Sequence, residues 1–460
     1  MRTKLVPMIA LLAATLLWLS PAVLAQEQAA QPAAQAAAAP AGDAGYYSEG
    51  MSTHVREAID KSLADPATAE KFKQAVTPGA EPGYLGIPGA PSVSWIWALL
   101  WAVWVGWIFS TVGAFGGIMA GVGHITIFGF GEYASKFGKG APVNAMVTDS
   151  IRVSNQWLAG LSALIGSFKY YRMGRLVAPL GICMAVGAVG GSWLIPAATA
   201  GRVSLKDYVG YFGLCVLLLG VLLLRDLTAK GQARQKKAKE AASAFEKKVA
   251  EGGDTTEQGV KVVEGSWPLM MVAMLVVLAS AVIYKFMGPG KGVAPWTDVW
   301  FWACTALACV GGLLTVFVGK VRFTFFGVEF GFKAWLPMLG GAVIAALSSF
   351  LGVGGGFLYV PFLTTLAGLP MFLVAGTSSL VVLVGMIVSI FSYMFGKGVV
   401  VEWGLIGAEL VGVFIGSMVG PATSKFISDK VLRLIFIVLA FYVGLGYTLK
   451  GLFGMSLPPF

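Results

Sequence analysis

The stretch SFLGVGGGFLYVP, from Ser349 to Pro361, sets four glycines and a proline inside a run otherwise apolar enough to cross a membrane. Both residue types are poor choices for a helix interior. Unpaired backbone groups are costly in lipid, so a broken helix survives only within protein or beside a water-filled cavity. Isolated glycines also serve tight helix packing. GVGGG followed by Pro361, in a run with a partner elsewhere in the chain, favours a break. Such a break bares N–H donors and a partial positive charge at the start of a half-helix, which suits an anion.

The flanks carry the same reading outward. The 460 residues are 57% hydrophobic and only 12% charged, against about 25% charged in a soluble domain. Mean hydropathy is +0.77. Apolar segments fall near 94–113, 114–130, 142–168, 176–199, 206–225, 267–286, 298–318, 334–350, 351–368, 372–395, 402–424 and 431–450. The fold class expected is an all-α polytopic membrane protein of about ten to twelve membrane segments. Segments 114–130 and 351–368 are glycine-rich and read as broken or re-entrant helices. The net charge of +10 belongs to loops of a membrane protein and gives no reason to expect nucleic acid.

The N-terminal 25 residues read as a signal peptide: Arg2 and Lys4, then the apolar Met8–Leu19, then small residues at Val23 and Ala25. Residues 26–93 read as an extracytoplasmic segment, with Ala/Gln/Pro low complexity first and short amphipathic helices within Ser52–Val76. This region offers no evident chemistry. The remaining divisions are a first transmembrane repeat at 94–225, a basic loop at 226–266, two linking helices at 267–318 and a second repeat at 334–450. Basic residues at Lys169–Arg175, in KGQARQKKAKE and at Gly319–Lys333 all fall inside if the N-terminus lies outside. That topology puts a multi-pass protein in the cytoplasmic membrane. The four cysteines lie in apolar stretches without a CxxC pair and read as inert and buried. His124 alone among the two histidines lies near the membrane, so neither a metal nor another cofactor is expected.

The two halves repeat. GVGHITIFGF (Gly121–Phe130) pairs with GVGGGFLYVP (Gly352–Pro361), VTDS (Val147–Ser150) with GTSS (Gly376–Ser379), and GSWLIPAAT (Gly191–Thr199) with GSMVGPAT (Gly416–Thr423), in the same order. The linking helices make the displacement odd, so the repeats would be inverted, an architecture of secondary transporters.

The stretch GVGGGFLYVPFLTTLAGLP, followed by VAGTSSL, resembles the signature of the TauE/SafE family of sulfite and organosulfur anion exporters. The likeness is clearest from Trp335 to Lys450 and fainter from Trp107 to Leu224. The first repeat departs from it: His124 stands for Gly355, Phe130 for Pro361 and Asp149 for Ser378. The resemblance implies transport of a small sulfur-containing anion without ATP. The chain also lacks a GxxxxGK[ST] phosphate loop.

Substrate-binding candidates are Arg152, whose planar fork suits an oxyanion, Asn155 three residues on, the hydroxyls of Thr148, Ser150, Thr377, Ser378 and Ser379, and the glycines Gly121, Gly123, Gly352, Gly354, Gly355 and Gly356. Asp149 lies three residues before Arg152 and can pair with it. Asp149, Glu409 and His124 are the candidate proton carriers, because ionisable groups within a membrane face a cavity or each other. A structural ion pair, a neutral buried acid and a packing histidine are the alternatives. Gln156 reads as an interhelical hydrogen-bonding residue, and Pro196 and Pro421 as kinks. The alternative function is a membrane sensor or assembly component without transport; a membrane enzyme finds no paired cysteines or nucleophile to support it.

Overall fold

The computed structural model describes residues 45–138, 140–199, 213–214, 216–218, 220–221, 223–225, 228, 235–288, 295–351 and 356–455. The signal peptide, Cys215, Gly352, Gly354 and Gly355 lie outside the described residues, as does the side chain of Pro196. Among the described residues, six helices are long and apolar enough to cross a membrane: Trp95–Val112, Trp267–Met287, Val299–Val318, Met371–Met394, Trp403–Ser424 and Asp429–Phe453.

The order begins with α1 (Thr53–Ala64) and α2 (Pro66–Ala75), the short helices expected ahead of the membrane. Next come α3 (Trp95–Val112), α4 (Gly116–Val122), α5 (Phe130–Lys136), α6 (Pro142–Arg172) and α7 (Ala178–Thr199). The middle holds α8 (Lys236–Ala250), β1 (Lys261–Glu264), α9 (Trp267–Met287), α10 (Val299–Val318), β2 (Lys320–Phe325) and β3 (Val328–Lys333). The last part is α11 (Trp335–Leu351), α12 (Gly356–Pro361), α13 (Met371–Lys397), α14 (Trp403–Ser424) and α15 (Asp429–Thr448).

Helix lengths recur between the halves. α3, α4, α6 and α7 have 18, 7, 31 and 22 residues, and α11, α12, α13 and α14 have 17, 6, 27 and 22. α4 runs into a π-turn at Gly123–Ile127, and α12 into one at Phe362–Leu366. A left-handed glycine follows each, Gly129 at φ 75° and Gly368 at φ 63°. This backbone register keeps VTDS opposite GTSS and GSWLIPAAT opposite GSMVGPAT. It shifts the glycine motif: GVGGG at 352–356 falls opposite GAFGG at 113–117, not opposite GVGHI. α5 has no counterpart, and its insertion accounts for the slip. His124 thus falls opposite Leu363 rather than Gly355.

The chain divides into two compact units. The first holds residues up to Trp104, Gly117–Leu158 and Ile387–Val413. Its apolar cluster joins Val55, Ile59 and Phe72 of the N-terminal helices to Phe130, Phe137, Val147 and Ile151. The second holds Val105–Gly116, Ala159–Met386 and Phe414 onward. There α7 packs closely on α11. A methyl group at Gly187 would collide with the Met338 carbonyl, one at Gly191 with that of Ala342, and one at Gly341 with that of Met184. Small residues four apart let membrane helices approach this closely.

Two of the basic stretches between apolar segments carry strands. β1, β2 and β3 form an antiparallel sheet, so the mostly helical fold carries one small β element. In β2 and β3 alternate side chains of KVRFTF and VEFGFK are buried, the period of a strand. Phe326 and Gly327 turn the hairpin at φ 49° and 77°, the left-handed pair of a two-residue turn. Cys183 and Cys304 are buried as expected, but Cys309 is exposed.

Candidate functional site

In the first unit, the π-turn after α4 carries His124, α6 carries Asn155 and α14 carries Glu409. A π-turn adds a residue to the helical turn and often marks a functional position. His124 Nδ1 lies 2.6 Å from Asn155 Oδ1, and Nε2 lies 3.0 Å from Glu409 Oε2. The His124 and Glu409 side chains are both 0% exposed. Glu409 Oε1 has no hydrogen-bond partner. Three residues singled out separately in the sequence thus form one cluster.

The Asn155 carbonyl accepts from Nδ1, so Nδ1 carries its hydrogen. Nε2 and Oε2 then share one further proton. The pair is either imidazolium with carboxylate or imidazole with carboxylic acid. Removal of that proton leaves two acceptors facing each other.

Aromatic rings cover the pair. Phe128 meets the His124 ring edge-on at 5.6 Å, and Phe130 stacks over it at 6.1 Å. Tyr84 stacks in turn on Phe130 at 4.0 Å. Its hydroxyl lies 2.9 Å from Ser150 Oγ. Burial pushes the Tyr84 phenol above its usual range, so it stays neutral. The Tyr84 turn is tightly held. Leu85 takes φ 59° and Gly86 φ 75°, and Leu85 N–H donates to Glu402 Oε2 at 3.0 Å. Burial raises the Glu402 carboxyl above the usual carboxylate range, and the bonds from Leu85 and Gly404 N–H partly offset this. The sequence reading assigned this region no chemistry. Its one signal was an aromatic residue inside the turn PGYLGIPGAP.

Asp149 and Arg152 form the expected pair, at 2.6 Å, with both side chains 24% exposed. Arg152 Nη1 also donates to Tyr393 Oη at 3.0 Å. Thr148 is exposed, and its hydroxyl lies 3.4 Å from Asn144 Oδ1. Gln156 is buried with its Oε1 unpartnered. Gly121 leaves room for the Asn155 amide, and a methyl at Gly123 would strike the Trp101 indole.

In the second unit, Thr377, Ser378 and Ser379 are fully buried. Thr377 accepts from Val177 N–H and donates to Leu373 O. Ser378 donates to Gly113 O at 2.8 Å, and Ser379 to Ala375 O at 2.7 Å. Gly356 lies against Gly113 and Ala114, where an added methyl would find the Gly113 carbonyl at 3.5 Å. The starts of the two short helices therefore meet beside the GTSS hydroxyls. α4 and α12, even with their π-turns, are too short to cross about 30 Å of hydrocarbon.

Residues 98–447 match the family described as Sulfite exporter TauE/SafE. The chain belongs to the TauE/SafE family. No curated protein and no solved structure matches the chain. TauE/SafE membership and the six apolar helices make this a multi-pass membrane protein of a transporter family. His124, Asn155 and Glu409 lie within the TauE/SafE match, whereas Tyr84 and its segment precede it.

Proposed function

We propose that the protein is a secondary transporter of a small sulfur oxyanion, sulfite or a short sulfonate, and that His124 and Glu409 couple its movement to protons. The supporting observation is the sealed His124–Glu409 contact, in which one proton holds two groups together. Loss of the proton turns attraction into repulsion between Nε2 and the carboxylate, a driving force for rearrangement. Arg152, held by Asp149 and partly exposed, would draw the anion by its guanidinium fork. Within the second unit, the starts of the short helices near Gly116 and Gly356 would offer an anion contact of their own, at the junction held by Thr377, Ser378 and Ser379. In this reading the halves are inverted repeats that rock about the junction. The membrane is the cytoplasmic one, residues 45–93 lie outside it, and Tyr84 closes the proton site.

The test is flux in proteoliposomes with labelled sulfite, sulfate and a short sulfonate, with and without a pH gradient. Wild-type protein should move one of these anions faster with the gradient. Glu409→Gln should keep residual flux that no longer responds to the gradient. No flux of any anion from folded wild-type protein would sink the reading. Gradient-driven flux unchanged in both Glu409→Gln and His124→Gln would remove the pair from the mechanism.

A further inference from the structure

Arg175 lies in the connection between α6 and α7, within the second unit, and is 1% exposed. Its Nε donates to Phe372 O at 3.2 Å, and its Nη1 to Ser424 Oγ at 3.2 Å. Its Nη2 has no partner. Among the described residues no carboxylate pairs with it. Three rings surround the guanidinium instead: Tyr170, Phe245 and Phe372 lie 4.9, 5.2 and 5.3 Å from its central carbon.

A buried cation without a counter-charge is expensive even after relaxation. Cation–π contacts return only part of that cost. Two neutral acceptors and three rings therefore leave a deficit that an anion would remove. The fork geometry also suits an oxyanion. The free Nη2 and the Nη1 that donates to Ser424 Oγ belong to the same guanidinium.

The cover is specific. Phe245 comes from α8, a helix from the basic central segment. Its ring lies 4.4 Å from Phe372, 6.0 Å from Phe325 and 5.4 Å from Phe326. α8 is tied down at both ends. Glu246 accepts from Asp429 N–H at 2.9 Å, and Gln235 accepts from Arg433 at 2.6 Å. α8 also buries Ala238, Ala241, Ala242 and Phe245, and Lys237 Nζ donates to Glu329 O of β3 at 3.1 Å, so uncovering Arg175 requires α8 to part from the sheet as well.

We propose that Arg175 is a binding residue for a single small oxyanion, occluded here by Phe245 and loaded at Nη2 when α8 lifts. This deepens the anion-transport reading and rests on it. It adds a seat remote in sequence from Arg152 and absent from the motif residues.

The test is binding of sulfite, with sulfate as a second probe, to the full chain in lipid nanodiscs. Calorimetry and thermal unfolding would be followed for wild type, Arg175→Met, Arg175→Lys and Phe245→Ala, with flux measured beside them. Arg175→Met should fold without anion as stably as wild type, lose the sulfite-induced rise in Tm and bind at least tenfold more weakly. Arg175→Lys should recover part of the binding. Phe245→Ala should load and release the anion several-fold faster. Wild-type affinity in folded Arg175→Met overturns the proposal. If Arg175→Met does not fold, unchanged association and release rates in Phe245→Ala overturn it. Coupled flux with wild-type KM in Arg175→Met removes this seat alone and leaves the transport reading standing. Absence of flux in wild type removes the transport reading, and binding that still depends on Arg175 then keeps the seat.

Discussion

The two units each bury charge under aromatic rings, but they balance it differently. The first holds an acid and a base in contact, His124 with Glu409, beneath Phe130 and Tyr84. The second holds the lone guanidinium of Arg175 among Tyr170, Phe245 and Phe372. The pair is balanced within itself while one proton is shared between Nε2 and Oε2. The guanidinium has no carboxylate partner among the described residues, hence the anion proposed for it. If the proposed roles hold, proton carrying and anion recognition at Arg175 fall in different units.

The largest expected effect breaks the pair. His124→Ala orphans a fully buried Glu409 and should lower stability by about 3–5 kcal/mol. Adding Glu409→Gln should recover much of that loss. Thermal unfolding of the singles and the double measures the coupling; strictly additive losses would show that the two groups do not support each other. The cover over the pair comes next. Tyr84→Ala should loosen residues 45–93 by about 3 kcal/mol, as for a buried aromatic truncation. Tyr84→Phe should cost about 1 kcal/mol for its one hydrogen bond. Limited proteolysis of that segment reads both. Equal protection in Tyr84→Ala and wild type would make the tyrosine a bystander.

Arg175→Met sharpens the contrast from the other side. It orphans no charge, so anion-free stability should stay within about 1 kcal/mol. A loss as large as that of His124→Ala would mean that the two sites are built alike. The smallest effect concerns Glu402. Its folded-state carboxyl titrates above the ordinary carboxylate value near 4.3. The contribution of this group to docking of the Tyr84 turn is therefore fully present below that value. It is lost as pH rises through the raised one. Exchange protection of residues 83–90, corrected for intrinsic rates, should fall with rising pH in wild type. It should flatten in Glu402→Gln, which keeps an acceptor for Leu85 N–H.

Much of this fold is legible in the sequence because lipid imposes simple rules. Long apolar runs marked the membrane helices, and the paired VTDS/GTSS and GSWLIP/GSMVGP motifs lie in matching helices. The glycine motifs fall out of register because the extra helix α5 lies between the first of them and VTDS. The GxxGG spacing at Gly113–Gly117 and Gly352–Gly356 carries the better match. The β2–β3 hairpin shows clean alternation, yet its basic residues drew attention to topology instead. The His124–Glu409 contact joins residues 285 apart, and no local pattern encodes such a pairing. Arg175 looked like a loop charge, since nothing in KYYRMGR tells that aromatic rings from α8 and α13 will close over it. Tyr84 was hidden for the same reason, with its partners supplied by α5 and α6.

The bond from Leu85 to Glu402 spans 317 residues of chain. At ordinary translation speeds of roughly 5–20 residues per second, about 15–60 s separate the synthesis of its two ends. The Tyr84 turn emerges long before the carboxylate that fastens it. Throughout that interval Leu85 has no carboxylate to bond, and the aromatic face of Tyr84 waits for the membrane helices that will receive it. Until Glu402 is made, the Gly/Pro-rich turn lacks the bond that fastens it and stays open to proteolysis during assembly.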